Sequence, residues 1–416
     1  MANSKPAAVM TSPTVSSIRA LAAELIARER WSRGRLADHQ RQALASLVRH
    51  AATASPYYRE RFARWSKGGD VMLADLPVLT HAALMSDFDG IFCDPRVRLA
   101  DLERHVASAN PGALHLGGYR VFVTGGASGT RGMFLYSRAE WTLVPANYVR
   151  WITALGLGPG SRLATIGPSN PLHLANRAFA DLGTPEPSAL AGTGAIAPGT
   201  GSKAGGGLRV EEATALRLTV TMSIDDMVRA LNDYQPDIMV MPPSAGTRLA
   251  DEQAAGRLTI KPRTMLSSAE VLSDAARARF RAAWGADLYD TYGMTETGLI
   301  GAECPQRGGI HISEDLVIVE SVDENHQPVP HGTAGAKVLV TNLANYAQPL
   351  IRYEVPDRLT LSPDICRCGR PFTTIARIDP RITEMPTMAL GELPTMVGHA
   401  MNPPLRLVKS PWPRSG

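Results

Sequence analysis

The sequence predicts an α/β fold with a substantially parallel sheet, entered through a helical N-terminal region. Two observations carry this. From Tyr119 onward short β-rich runs alternate with helical ones, the pattern of strands joined by helical crossovers. Before that point apolar residues recur at three- and four-residue steps, the period of an amphipathic helix. The chain has 416 residues, enough for two or three structural units.

The helical region runs from Ile18 to about Ala63. Its apolar face shows in Leu21, Leu25 and Ile26, and again in Leu44, Leu47 and Val48. Ser55-Pro56 marks a break, because the residue before proline is pushed out of the helical region. Leu76 to Thr80 reads as an extended link, with Thr80 placed to cap a helix starting near His81.

Past Tyr119, Val121-Phe122-Val123 is a strand that ends in a Gly-rich loop. Arg138 to Leu155 is helical and Arg162 to Ile166 a strand. Leu216 to Met222 and Asp237 to Met241 are strands around a helix at Asp225 to Asp233. Arg277 to Trp284 is helical, and Asp287 to Tyr292 is extended. Short strands follow from Leu316 to Val340, with turns at Asp323-Glu324-Asn325 and His331-Gly332. A Gly-crowded stretch between Ala191 and Gly207 reads as a surface insertion or a lid.

Composition excludes several classes. Hydrophobic residues are 44% and charged residues 20%, ordinary for a soluble globular protein. The net charge of +4, from 43 basic and 39 acidic residues, carries no basic run, which argues against nucleic acid. No stretch has the ~18–20 consecutive apolar residues of a membrane helix. Residues 1–17 read as a disordered leader without a signal-peptide pattern, so the expected location is cytoplasmic. Four cysteines in this length make no disulfide framework.

Three segments carry chemistry. Thr124 to Gly132 (Thr-Gly-Gly-Ala-Ser-Gly-Thr-Arg-Gly) follows a strand. Glycines let backbone N–H groups converge on an anion, and the hydroxyls of Thr124, Ser128 and Thr130 add donors. It is not a Walker loop, since no Gly-Lys-Ser/Thr follows. Tyr292-Gly293-Met294-Thr295-Glu296 sets a flat ring, a hydroxyl and a hard carboxylate at the end of an extended run. Pro349 to Asp357 (Pro-Leu-Ile-Arg-Tyr-Glu-Val-Pro-Asp) ends on a carboxylate able to accept from two neighbouring hydroxyls. Taken alone, these segments also suit a surface turn, a structural turn and an Arg352–Asp357 ion pair.

Together the three resemble, in order and spacing, the signature segments of the adenylate-forming (AMP-binding) enzymes, and in particular their phenylacetate–CoA ligase branch. The resemblance covers roughly Arg35 to Arg377 and includes the flanking Gly309-Ile310-His311-Ile312-Ser313-Glu314-Asp315. It implies the large N-terminal domain of that superfamily and an ATP-dependent activation of a carboxylic acid to acyl-AMP. Transfer to CoA would follow. Thr124, Ser128, Gly129, Thr130 and Gly132 would meet the phosphates. Tyr292 would lie on adenine with Gly293 beside it, Thr295 would meet the α-phosphate, Glu296 would hold Mg²⁺, and Asp357 would take the ribose, with Arg352 nearby. Ser268 and Glu270, in Ser267-Ser268-Ala269-Glu270, match a further nucleotide-pocket segment. Thr295, Glu296, Thr130 and Arg131 are the expected catalytic groups. The family often has a lysine shortly after the last glycine; here Met133 and Phe134 follow, and Arg131 is the substitute cation.

Cys304, His311, Cys366 and Cys368 offer three thiolates and one imidazole, a full tetrahedral set for structural Zn²⁺. The spacing is not that of a zinc finger, so unrelated thiols are the alternative on this evidence. The resemblance favours zinc, because the same branch often carries this pattern followed by Gly-Arg, here Gly369-Arg370. Cys93 stands alone as a small buried hydrophobe.

The resemblance breaks after Arg381-Ile382-Thr383-Glu384-Met385, similar to the family's hinge but with Thr383 in place of an Asp. The small C-terminal domain is expected to be missing or vestigial. Lys409, in the Pro- and Met-rich tail, is not assigned its catalytic lysine role. The expected organisation is a leader at 1–17, a helical region at 18–100, the core at 101–377 with a zinc-bearing β-rich part near 300–370, and a hinge remnant at 378–416. An aryl or arylacetic acid is the expected substrate, with His173 near its pocket or, more plainly, structural. An amine acceptor in place of CoA and a nucleotide-binding pseudoenzyme are the other readings. A homodimer is compatible with the sequence.

Overall fold

A computed structural model describes residues 15–108, 110, 112–124, 132–155, 161–182 and 215–379. The helical region is α1 (Val15–Arg28), α2 (Arg33–Ala54), α3 (Pro56–Arg61), α4 (His81–Ser86), α5 (Phe88–Ile91) and α6 (Leu99–Val106). The Ser55-Pro56 break separates α2 from α3, where Pro56 takes the first helical position and loses no hydrogen bond. Thr80 caps α4 by accepting from the Ala83 N–H, as its position predicts.

Next come β1 (Tyr119–Val123), β2 (Met133–Ser137), α7 (Arg138–Trp141), α8 (Leu143–Ala154), β3 (Leu163–Gly167) and α9 (Leu174–Asp181). The single helix expected over Arg138 to Leu155 is two. Pro145 has no N–H to give the Trp141 carbonyl, so the chain steps at Thr142. The parallel unit continues with β4 (Ala215–Thr219), α10 (Ile224–Tyr234), β5 (Ile238–Met241), α11 (Pro243–Ala254), β6 (Thr264–Ser267), α12 (Asp274–Trp284) and β7 (Asp287–Met294). The rest is β8 (Gly298–Glu303), β9 (Ile310–Ile312), β10 (Val317–Val322), β11 (Lys337–Asn342), β12 (Tyr353–Val355), β13 (Arg358–Leu361) and β14 (Thr374–Asp379).

The main sheet has nine strands in the order β13-β14-β9-β8-β7-β6-β5-β3-β4. From β4 to β7 every pairing is parallel, and from β7 outward every pairing is antiparallel. β7 is therefore the seam between the two halves. Ligands of open α/β sheets bind beyond the carboxyl ends of the parallel strands. Here those ends are Thr219, Gly167, Met241, Ser267 and Met294. β1 and β2 form a separate hairpin, and β10, β11 and β12 a three-stranded sheet.

The helical region is no independent unit. Leu44, Leu47, Tyr58 and Phe62 share one core with Ile310, Val338, Leu350 and Tyr353 of the β-rich part. The α1 residues Ile18, Ala22 and Leu25 pack on Ala146, Val149 and Ile152 of α8. Among the described residues no helix is long and apolar enough to cross a membrane.

Candidate adenylate site and metal centre

The Tyr292–Glu296 segment leaves the carboxyl end of β7. At Gly293 the β7–β8 register shifts. A Cβ there would lie 2.9 Å from the Gly298 carbonyl oxygen and 3.1 Å from the Leu299 Cα, and this backbone cannot yield, so the bulge requires glycine. The Glu296 carbonyl accepts from the Tyr136 hydroxyl at 2.9 Å and from the Asn342 amide at 3.1 Å. The segment's backbone is thus held by β2 and β11. The carboxylate of Glu296 lies close enough to Tyr136 and Tyr353 to act on both phenols, whose pKa values rise mainly through burial.

Asp357 and Tyr292 meet. The Tyr292 hydroxyl donates to the Asp357 carboxylate at 2.6 Å, and both side chains are buried. Two of the three signature segments, remote in sequence, therefore close on one point. An ionised acceptor makes this bond stronger than a neutral pair, about 1.5–3 kcal/mol. Tyr292→Phe should keep the ring but remove this bond to the carboxylate, raising the KM for ATP about tenfold with a smaller change in kcat. Steady-state kinetics with varied ATP checks this; an unchanged KM would mean that the bond does not position Asp357 for ATP.

The phosphate segment is framed at its two ends. The Thr124 hydroxyl accepts from the Gly132 N–H at 2.8 Å, and the Thr124 N–H donates to the Gly132 carbonyl at 3.0 Å. A Cβ at Gly132 would meet the Phe134 ring at 2.8 Å. Ser128, Gly129, Thr130 and Arg131 lie outside the described residues, as do the Gly-rich stretch 191–207, the hinge 381–385 and Lys409.

Two predicted residues take supporting places. Glu270 receives both the N–H and the hydroxyl of Ser244, at 2.8 and 2.7 Å, and so anchors the first turn of α11. Ser268 follows β6, its N–H bonded to the Met241 carbonyl at 3.2 Å, with Ala269 beyond it at φ 68°. Arg352 is not paired with Asp357. Its guanidinium forks onto Glu320 at 3.0 and 3.1 Å and donates to the Leu76 carbonyl at 2.7 Å. These bonds hold the left-handed backbone of Arg352 (φ 50°) and leave it in a structural role. His173 precedes α9. Its Nδ1 is buried with no hydrogen-bond partner among the described residues, and burial pushes its pKa down to about 4.

Sequence reasoning missed the residues that support β2. Gln348 accepts from the Leu135 N–H at 2.9 Å and donates to the Met133 carbonyl at 3.2 Å, and Asn345 donates to the Leu135 carbonyl at 2.7 Å. These buried amides stand in for a neighbouring strand. The available signal was the polar cluster Asn342, Asn345 and Gln348 inside an otherwise apolar stretch. Asp290, in β7 just before Tyr292, is pushed up to about 7, chiefly by burial and then by Glu303, while Ser267, Thr291 and Arg277 pull it down.

Cys304, His311, Cys366 and Cys368 come together as expected, with all four donor atoms within 4.8 Å of one another. The sulfurs of Cys304 and Cys366 are 3.6 Å apart, and Cys368 Sγ is 3.4 Å from His311 Nε2. A tetrahedron with Zn–S of ~2.3 Å and Zn–N of ~2.0 Å has edges of roughly 3.5–3.8 Å, so the donor set fits zinc. Gly308 leaves the room: a Cβ there would lie 2.7 Å from Cys366 Sγ. Burial pushes His311 down to about 4, keeping it in the neutral form that ligates metals, and pushes Cys304 up to about 11. At Cys366 burial works upward, but the N–H groups of Cys368 and Gly308 and the neighbouring thiols outweigh it.

The parallel half-sheet, the β7 seam and the segments at its end define an adenylate-forming fold. A solved 2-hydroxyisobutyryl-CoA ligase in its postadenylation state superposes with TM-score 0.62 at 20% identity, covering 84% of this chain and 68% of that one. The family model described as AMP-binding enzyme matches residues 212–341. Over these residues the chain is similar to the AMP-binding enzymes, and among them to phenylacetate-coenzyme A ligases. It is 30% identical to the phenylacetate-coenzyme A ligase of Thermus thermophilus over 186 residues, 42% of this chain and 41% of that protein. The enzyme of the same name from Aromatoleum evansii is 27% identical over 366 residues, 83% of this chain and 71% of that protein. The match to the Thermus protein thus spans well under half of that relative's length.

Proposed function

We propose that the protein activates a carboxylic acid with ATP, forming an acyl-AMP and pyrophosphate, and then passes the acyl group to CoA. An aryl or arylacetic acid is the proposed substrate, supported by the similarity to phenylacetate-coenzyme A ligases. The observation that carries the reading is the Tyr292–Asp357 bond, which joins the base-side and ribose-side segments at the carboxyl ends of the parallel strands.

The reaction needs no protein nucleophile. A carboxylate oxygen attacks the α-phosphorus and the bond to the pyrophosphate oxygen breaks. Catalysis rests on holding two anions in line and neutralising their charge. Tyr292 packs against the base and orients Asp357, which accepts from the ribose. Thr124 and Gly132 fix the ends of the phosphate segment, where Ser128, Gly129, Thr130 and Arg131 add donors and charge. Thr295 donates to the α-phosphate. Glu296 suits Mg²⁺, which when bound neutralises the triphosphate. Cys304, His311, Cys366 and Cys368 hold structural zinc with no open position for chemistry.

Trapping tests the activation step. With ATP, phenylacetate and hydroxylamine, an acyl-AMP is converted to a hydroxamate. The expected result is hydroxamate that depends on both ATP and acid. Hydroxamate from none of a set of aryl, arylacetic and fatty acids would overturn the reading.

A further inference from the structure

Outside the segments described above, two arginines meet on one carboxylate and a third, Arg138, acts on one of them. Arg120 of β1 lies 3.1 Å from Asp181 and is 5% exposed, and Arg177 of α9 donates to the same carboxylate at 2.7 Å. The Trp141 indole also donates to it, at 2.5 Å. Arg138, at the start of α7, donates to the Gly117 carbonyl at 3.0 Å. Arg177 and Arg138 both press on Arg120, whose pKa falls to about 10, chiefly through burial. Among the described residues, Asp181 is the acidic group acting on Arg120 against them.

The cluster is short of acceptors. Among the described residues, Nε of Arg120, Nε of Arg138 and Nε of Arg177 are buried without a hydrogen-bond partner, and Nη2 of Arg120 has only its ion-pair contact with Asp181. A buried cation without full pairing is costly, and guanidinium forks match the oxygens of a phosphate. The cluster reaches solvent through Arg177, 31% exposed, so a small anion has a way in.

Its place relative to the adenylate site is set by shared elements. Arg120, Phe122 and Thr124 alternate onto one face of β1 and its extension, so Arg120 lies about 13 Å from Thr124 at ~3.3 Å per residue. Arg177 follows Leu174 on α9, and Leu174 lines the space at Gly298, just past Glu296. That separation is too long for a triphosphate seated at Thr124 and Gly132 to fill both places.

We propose that Arg120, Arg138 and Arg177 form a second anion site, which takes a phosphate monoester. Its source, resting on the transfer step proposed above, is the 3′-phosphate of CoA; free phosphate is the other.

Calorimetric titration of the full chain with CoA, dephospho-CoA and inorganic phosphate tests this. The wild type, Arg177→Gln and Arg177→Lys are compared, with folding checked by thermal melts. The expected result is CoA binding about tenfold tighter than dephospho-CoA in the wild type, the equivalent of one charge-assisted contact. Arg177→Gln should level the two, and Arg177→Lys should restore part of the difference. Inorganic phosphate binding that Arg177→Gln abolishes, with CoA and dephospho-CoA alike, would support the site with free phosphate as its source. Equal binding of each probe by wild type and a folded Arg177→Gln, or no binding of any, would overturn it. Acyl-AMP trapping on the same samples separates these outcomes, because loss of the acid-activation reading would remove the hydroxamate and leave phosphate binding intact.

Discussion

Cys366→Ser should strip one equivalent of zinc from the protein and lower its melting temperature by roughly 6–12 °C. That range follows from a loss of about 3 kcal/mol, a small part of what a structural zinc site is worth, at 2–4 °C per kcal/mol. The four donors come from three separate places: Cys304 just past β8, His311 in β9, and Cys366 and Cys368 in the loop before β14. One ion would therefore bind together the antiparallel half of the sheet. β8 pairs with β7, which carries Tyr292, so loosening it should also weaken ATP binding. Cys93→Ser is the control, since Cys93 lies outside the cluster. Metal analysis by mass spectrometry and a thermal melt check both halves of this expectation. A wild type without zinc, and a variant that melts with it, would show that the cluster is only a group of reduced thiols and a histidine.

Asp315→Ala should cost about 3–5 kcal/mol of stability, because it leaves a fully buried arginine without its counter-charge. Arg150 and Asp315 are both 0% exposed and form a two-oxygen contact at 3.0 and 3.1 Å. Asn147 takes two more of the guanidinium donors, at 2.7 and 3.0 Å, and Arg28 of α1 reaches the same carboxylate at 3.4 Å. The network pins α8 and α1 to the turn after β9. A buried pair is not in itself more stabilising than an apolar pair of the same shape. Arg150→Met combined with Asp315→Leu should therefore recover most of the loss. Urea unfolding of the single and double variants measures the coupling. A single variant within about 1 kcal/mol of wild type would contradict the burial argument.

How much of this was legible depended on whether local pattern or tertiary contact decided the residue. The parallel half of the sheet was readable because β3, β5 and β7 are apolar or extended runs separated by helical stretches, and the structure has them close to where the pattern put them. β6 and α11 were not, since a four-residue strand and a helix opening on Pro243-Ser244-Ala245-Gly246 carry little periodic signal. The meeting of Cys304 and His311 with Cys366 and Cys368 followed from motif chemistry and the family resemblance, whereas the bond between Tyr292 and Asp357 was not read, only that both belong to one nucleotide site. Arg352 shows the opposite case. Its motif position suggested the site, but its guanidinium is consumed by Glu320 and two carbonyls, contacts no local pattern encodes. Nor could the Arg120–Asp181 group be read from sequence, since β1 and α9 bring those residues together only in the fold.

The central claim is that the segments at the carboxyl end of β7 make a site for acyl-adenylate formation. Pyrophosphate–ATP exchange across aryl, arylacetic and fatty acids, with Glu296→Ala alongside, tests it most directly. The account predicts exchange that depends on an aryl or arylacetic acid and falls at least about 100-fold in the variant, as expected when a group stabilising transition-state charge is removed. ATP binding with no acid-dependent exchange, or exchange of equal rate in Glu296→Ala, would contradict it.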